Sequence, residues 1–438
     1  MPLLLPLVGI LCLILLIVWA KLDTFISFVV VSVGLGVACG MDAKGISASL
    51  QKGIGNILGS LVIILGFGAM LGRLVAESGA AQQITQSLIR FSGIKRIQWA
   101  MALAGLLVGI PMFYTAGFVV VVPLIFAIGA TTRLPLLYIG LPMLTALSVA
   151  HGFLPPHPSP TAIAQQLHAD IGRTLLYGMA AAIPAIILAG IVFGRTLRKY
   201  NPVPDPELMT VKIKAEEELP PLRDSVLVTL MPLILLTATT VASALPLDEA
   251  WISDIRFMGE PNMAMLISVL MAIWILGLRR KQPMKTIMKS LEDAFKGVAP
   301  VMLIIAGAGV FMQIMSDGGI NKQIAESLVN LPVSPLILGW VVAALIRVCT
   351  GSATVAGLTT VSMLLPVLHQ PAIHPELMVL SIGAGSLMFS HVNDGGFWLF
   401  KEYFNLTIRE TFATWTVMES IVSVTGLGMV LLLNQLIH

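Results

Sequence analysis

The chain has 438 residues, of which 57% are apolar and 11% charged. Soluble domains run at about 45–50% apolar and about 25% charged, and a mean hydropathy of +0.92 lies far outside their range. Soluble enzymes, nucleic-acid binders and disordered scaffolds are excluded, and a net charge of +3 is too small to draw an anionic polymer.

At about 20 residues per spanning helix, the length allows roughly ten to fourteen membrane segments. The opening stretch, MPLLLPLVGILCLILLIVWAK, lacks a basic leading region and a small-residue cleavage site. It reads as a first membrane helix rather than a signal peptide. Apolar runs follow at 25–40 and 55–77. Arg73 and Glu77 stand four apart and are expected to pair on one helix. Ala80–Phe91 is amphipathic, as befits a helix at the membrane interface. The next two runs, 98–113 and 118–130, are short for a core of about 30 Å and meet at Thr115-Ala116-Gly117. They predict a re-entrant hairpin. The run 135–151 ends in four prolines within 155–160, so the helix must unwind and restart. A run at 175–196 leads into a polar, mixed-charge stretch at 197–224, read as a solvated linker. Cys12, Cys39 and Cys349 have no metal or disulfide spacing and read as small core residues.

The chain then repeats itself. Ser49, Gly66 and Gly68 match Ser290, Gly307 and Gly309 at an offset of 241. Gln83, Ser87, Pro135, Leu147 and His151 match Gln323, Ser327, Pro375, Leu387 and His391 at an offset of 240. The expected organisation is a first repeat at 1–196, the linker at 197–224 and a second repeat at 225–438. Each repeat holds about five crossings, one hairpin and one unwound helix, so the second is inverted relative to the first. Basic residues support this, since 19 of the 26 fall on one side in that layout, which is then cytoplasmic. The fold class is therefore an all-α polytopic membrane protein, and the second hairpin spans roughly 334–368.

Unwound backbone inside a membrane marks a site, because only protein or a water cavity satisfies it there. The breaks are the tips 113–117 and 350–354 and the unwound segments 151–161 and 390–396. Thr115, Ser352, Thr354 and Asn393 offer hydroxyls and an amide to a polyhydroxy substrate, with His151, His157, Ser159 and His391 nearby. Arg347 precedes the second tip and suits a substrate carboxylate. Asp394, an intramembrane carboxylate inside the second break, is the first choice for a proton-coupled group, and Glu419 in the last helix the second. No metallopeptidase, nucleophile-elbow or phosphate-loop motif is present, so neither an enzyme nor a primary pump is expected. No metal and no cofactor is implied beyond a coupling ion. A passive channel is the rival class, though broken helices in inverted repeats fit alternating access better.

The segments LGFGAMLGRL (65–74), LPLLYIGLPM (134–143), HGFLPPHPSPTAIA (151–164), GSATVA (351–356) and SHVNDGGFWLFKEYFNLT (390–407) resemble the gluconate permease family of bacterial gluconate:proton symporters. The resemblance runs the length of the chain. It implies proton-coupled uptake of gluconate or a related aldonate across a bacterial inner membrane, with kinship to the wider ion transporter superfamily and a homodimer as partner state. The family also includes permeases for L-idonate, other sugar acids and D-serine, and sodium is the alternative coupling ion. Family members carry an acid at the first tip, in a phrase like FFEVGF, where this chain reads Phe113-Tyr114-Thr115-Ala116-Gly117-Phe118. Gly395 stands where a proline is usual, and Ser159 where a glycine is usual.

Overall fold

In the computed structural model, residues 4–200, 214–242, 249–320, 333–368, 374–392 and 394–437 are described, and among them every regular element is helical. In chain order the first part gives α1 (Leu4–Ile14), α2 (Thr24–Ala38), α3 (Ala43–Ser78), α4 (Ala80–Ser92), α5 (Ile97–Gly109), α6 (Tyr114–Thr132), α7 (Leu136–Phe153), α8 (Pro158–Gln166), α9 (Ile171–Ala185) and α10 (Phe193–Thr196). Beyond the linker come α11 (Leu222–Ala242), α12 (Glu249–Met258), α13 (Pro261–Ala272), α14 (Met284–Asp317), α15 (Pro335–Thr350), α16 (Ala353–Leu368), α17 (Pro375–Gly385), α18 (Gly395–Tyr403), α19 (Ile408–Thr411) and α20 (Val417–Ile437). Among the described residues, seven helical stretches are long and apolar enough to cross a membrane.

Local chemistry starts these helices. Asp23, Asp42 and Asp170 accept backbone N–H groups at the entries of α2, α3 and α9, which satisfies donors that a helix cannot bond internally. Proline opens α8, α13, α15 and α17, where its missing N–H costs nothing.

The longest helices, α3 and α14, pack side by side along their length. They run antiparallel. Ser49 near the start of α3 donates to Asp317 at the end of α14 at 2.7 Å, and Ser290 near the start of α14 donates to Glu77 near the end of α3. Ser49 and Ser290 are repeat partners, and Glu77 and Asp317 are 240 apart. The two bonds thus tie opposite ends of the antiparallel pair with the same residue chemistry, a serine donating to a carboxylate. The backbones nearly touch at Gly53 and Gly309, where a Cβ on either would run into the other's carbonyl oxygen. Arg73 and Glu77 pair at 2.6 Å as expected.

Each half then shows a two-armed helix pair, a helix, a break and a nine-residue helix. The first break falls earlier than the sequence predicts. Thr115-Ala116-Gly117 form the opening turn of α6, and the chain turns at Ile110–Phe113 instead. Pro111 supplies no N–H there, and Gly117 stays helical because its bare face receives Leu147 of α7. The second arm is accordingly 19 residues, longer than the short arm expected. The second pair matches its expected range, and Gly351 closes α15 at φ +74°, a conformation natural to glycine. The nine-residue helices are exchanged between halves: α8 packs on α16, while Tyr403 at the end of α18 meets Phe118 of α6, ring centroids 5.5 Å apart.

One further expectation is corrected. Cys12 and Cys349 are exposed and Cys39 is half-buried, so none is a core residue; the outward face of a membrane helix accepts small apolar side chains as readily as the core does. The described end of the linker is largely exposed to solvent and tied to the helices by side chains. Gln82 and Lys214 exchange two hydrogen bonds, at 2.8 and 3.1 Å, Arg90 pairs with Glu216 at 2.6 Å, and Arg280 donates to the Glu218 carbonyl at 2.7 Å. The hydrogen bond from Arg90, and then its charge, hold the Glu216 carboxyl below the usual range. Both groups are fully exposed, so solvent screens the pair.

Candidate functional site

The two hairpin tips and the two helix breaks enclose one cavity of about 730 Å³, within the usual range for small-molecule sites. It is lined by Phe113, Tyr114 and Thr115 from the first tip and by Thr350 to Thr354 from the second. Ser148 and His151 of α7, Pro158, Asp394 to Gly396, and Trp415 and Glu419 complete its polar and aromatic wall. Gly297 and Val301 of α14 also reach it, so the cavity lies against the long-helix pair.

Four helices begin at this cavity: α6 at Tyr114, α8 at Pro158, α16 at Ala353 and α18 at Gly395. The starts of α6 and α8 carry no side-chain cap. Each helix start carries a partial positive charge, and at α6 the N–H groups of the first turn are unbonded, which attracts an anion; Pro158 and Pro160 leave α8 only the Ser159 N–H in its first three residues.

Arg347 adds a full charge. It is 4% exposed. Its guanidinium donates to the Gly351 carbonyl across the second tip and to the Asp394 carboxylate. Its Nε–H is buried with no partner among the described residues. Asp394 is held from several sides. Ser390 also donates to it, Trp415 donates to Ser390 at 2.8 Å, and the Gly396 N–H bonds the second carboxylate oxygen at 2.9 Å, capping α18. Asp394 is therefore a fixed counter-ion to Arg347, a partnership across 47 residues of sequence.

Glu419 is 2% exposed. Ser148 donates to one of its oxygens at 2.6 Å, and the other has no partner among the described residues. Tyr114 Oη and His151 Nδ1 are likewise buried and unpartnered. Their rings lie 5.9 Å apart, and Tyr114 is 6.0 Å from Trp415.

The other two predicted histidines, His157 and His391, do a different job. His157 Nε2 bonds the Gly109 carbonyl at the end of α5, at 2.8 Å. His391 Nε2 bonds the Val348 carbonyl near the end of α15, at 2.9 Å. A carbonyl only accepts, so each ring nitrogen carries the proton and each histidine ties a break to the first arm of its hairpin. By contact, the counterpart of His391 is His157, although His151 is its partner by sequence offset. Neither His157 nor His391 lines the cavity, and Ser159 packs against Gly357 of α16 instead. Of the predicted site residues, Thr115, His151, Arg347, Ser352, Thr354, Asp394 and Glu419 come together, and Asn393 lies outside the described residues. Sequence reasoning placed Tyr114 in the first tip without giving it a role, and missed Ser148 and Trp415. Ser148 carried a signal, standing three residues before His151 and so on the same helix face.

Comparison with known proteins follows the same lines. The family model described as GntP family permease matches residues 1–437. The chain is 46% identical over 439 residues to a high-affinity gluconate transporter of Escherichia coli, covering 100% of both chains. It is 45% identical to the Gnt-II system L-idonate transporter of the same organism, again covering 100% of both. It is 42% identical to the gluconate permease of Bacillus subtilis, with 100% of both covered. Among solved structures it resembles the YdaH transporter of Alcanivorax borkumensis at a TM-score of 0.69 and 18% identity, over 94% of this chain and 97% of that one. It also resembles MtrF of Neisseria gonorrhoeae at a TM-score of 0.63 and 14% identity, over 89% and 84%. These two similarities concern the fold alone.

Proposed function

The chain belongs to the GntP family of permeases, a multi-pass membrane protein and a transporter rather than an enzyme, and from that premise we propose that it imports gluconate or a closely related aldonate by proton symport across a bacterial inner membrane. One observation carries the substrate class: four helix starts and a buried arginine converge on a single cavity rich in hydroxyls. The carboxylate of a sugar acid meets the Arg347 guanidinium and the uncapped first turn of α6. Its hydroxyls meet Thr115, Ser352 and Thr354, and its C–H faces lie against Trp398, Tyr403 and Trp415. The gluconate and L-idonate names of two full-length relatives support the same class.

The antiparallel α3–α14 pair supports an inverted relation between the halves, with the two hairpin tips entering from opposite sides. Movement of the hairpins and nine-residue helices along that pair then carries the cavity between the two faces of the membrane. The homodimer implied by the resemblance belongs to this proposal, and chemical cross-linking in native membranes tests it.

Counterflow tests the substrate. Proteoliposomes preloaded with unlabelled gluconate are expected to trap labelled gluconate, with L-idonate competing and D-serine not. Competition by D-serine with none by L-idonate contradicts the sugar-acid reading.

A further inference from the structure

The cavity holds a half-buried carboxylate, Asp394, and a buried one, Glu419, in unlike surroundings. Asp394 is matched by the charge of Arg347 and by donors on both its oxygens. Glu419 has one neutral donor, Ser148, and one oxygen without a partner among the described residues. Among the described residues, none of its hydrogen bonds comes from a basic side chain. Burial of an ionised carboxylate on such terms is costly, and inside a membrane a group so placed serves function before structure.

The other charges nearby decide what Glu419 does. On the elements packed around α20, the ionisable groups that share its cavity are His151 on α7 and Arg347 on α15, and Tyr114 and Asp394 face the same space. Tyr138 of α7, Arg173 and Tyr177 of α9, Cys349 of α15 and Glu376 of α17 do not line it. Glu402 and Tyr403 of α18 do, and Glu402 is paired with Lys401 at 2.9 Å. Arg347 and Asp394 cancel, as do Lys401 and Glu402. The unmatched charge that an entering anion meets is therefore that of Glu419.

We propose that Glu419 carries the coupling proton, positioned by Ser148, so that a sugar-acid anion binds when Glu419 is neutral and is repelled when it is charged. Anion and proton then favour each other's binding by the same factor, since coupling between two sites is reciprocal. The proposal rests on the sugar-acid reading above.

The test uses the full chain in proteoliposomes, with gluconate as the probe. In Glu419→Gln the side chain is permanently neutral. Gluconate counterflow, which needs no net proton movement, is expected to persist at a reduced rate. Accumulation driven by an inward proton gradient is expected to be lost, and the pH dependence of gluconate KM to flatten. Glu419→Asp is expected to restore gradient-driven accumulation in part, which a purely structural role does not predict. Wild-type accumulation by Glu419→Gln overturns the proposal. So does loss of both counterflow and accumulation in Gln and Asp variants alike, which assigns Glu419 to the fold. Absence of gluconate counterflow in the wild type itself overturns the substrate reading, and this proposal with it.

Discussion

Arg347 and Asp394 cap each other's charge beside the second tip and the second break, and neither is expected to be tolerated alone. Removing one member of a buried ion pair costs about 3–5 kcal/mol, because the other is left charged and unmatched. Arg347→Gln is therefore expected to lower the thermal stability of the detergent-solubilised protein, and Arg347→Gln with Asp394→Asn to recover it. The double variant still lacks the guanidinium donor. A charge-assisted hydrogen bond is worth about 1.5–3 kcal/mol, so its gluconate KM is expected to rise roughly 10- to 100-fold in counterflow assays. A double variant with wild-type KM contradicts the role given to Arg347. Both residues were visible in the sequence as intramembrane charges, but their partnership was not. Asp394 reads there as a lone carboxylate, and only the fold brings Arg347, Ser390 and Gly396 onto it. The histidines show the same limit. An offset of 240 pairs His391 with His151, yet the longer second break moves His391 into the place that His157 holds in the first half.

Helix pairs are set by where their backbones can approach. At the α3–α14 crossing, Gly53 and Gly309 leave no room for a Cβ. Gly53→Leu is expected to force the helices apart and lower the melting temperature in detergent, at an overpacking cost of about 1–3 kcal/mol or more. Gly55→Leu, on the same helix where an added Cβ meets nothing, is the matched control and is expected to melt like the wild type. Equal melting of the two variants contradicts this packing. Element types were legible because apolar runs, prolines and caps act locally. The hairpin tip was misplaced by about one turn because Thr115-Ala116-Gly117 looks like a break in composition. Its glycine instead makes room for Leu147, a contact decided by tertiary packing. The strap at 214–218 was hidden for the same reason, since its partners Gln82 and Arg90 lie far back in the sequence.

For the whole molecule, the internal repeat is the strongest sequence signal for organisation, and the bonds Ser49–Asp317 and Ser290–Glu77 set the α3–α14 pair antiparallel. Ser49→Cys with Asp317→Cys is expected to form a disulfide on mild oxidation in membranes, and Ser290→Cys with Glu77→Cys likewise. Ser49→Cys with Glu77→Cys, on one helix 28 residues apart, is expected to form none within a chain. Cross-linking of neither inter-helix pair contradicts the antiparallel arrangement. The site's chemistry depends on that arrangement, because residues from both halves line one cavity. The central claim is that this cavity moves a sugar-acid anion together with a proton. Its most direct test is uptake of labelled gluconate into proteoliposomes with an inward proton gradient and no sodium. The account predicts accumulation above the external concentration that collapses when a protonophore is added. Gluconate that equilibrates without accumulating, or that accumulates only when sodium is supplied, would contradict it.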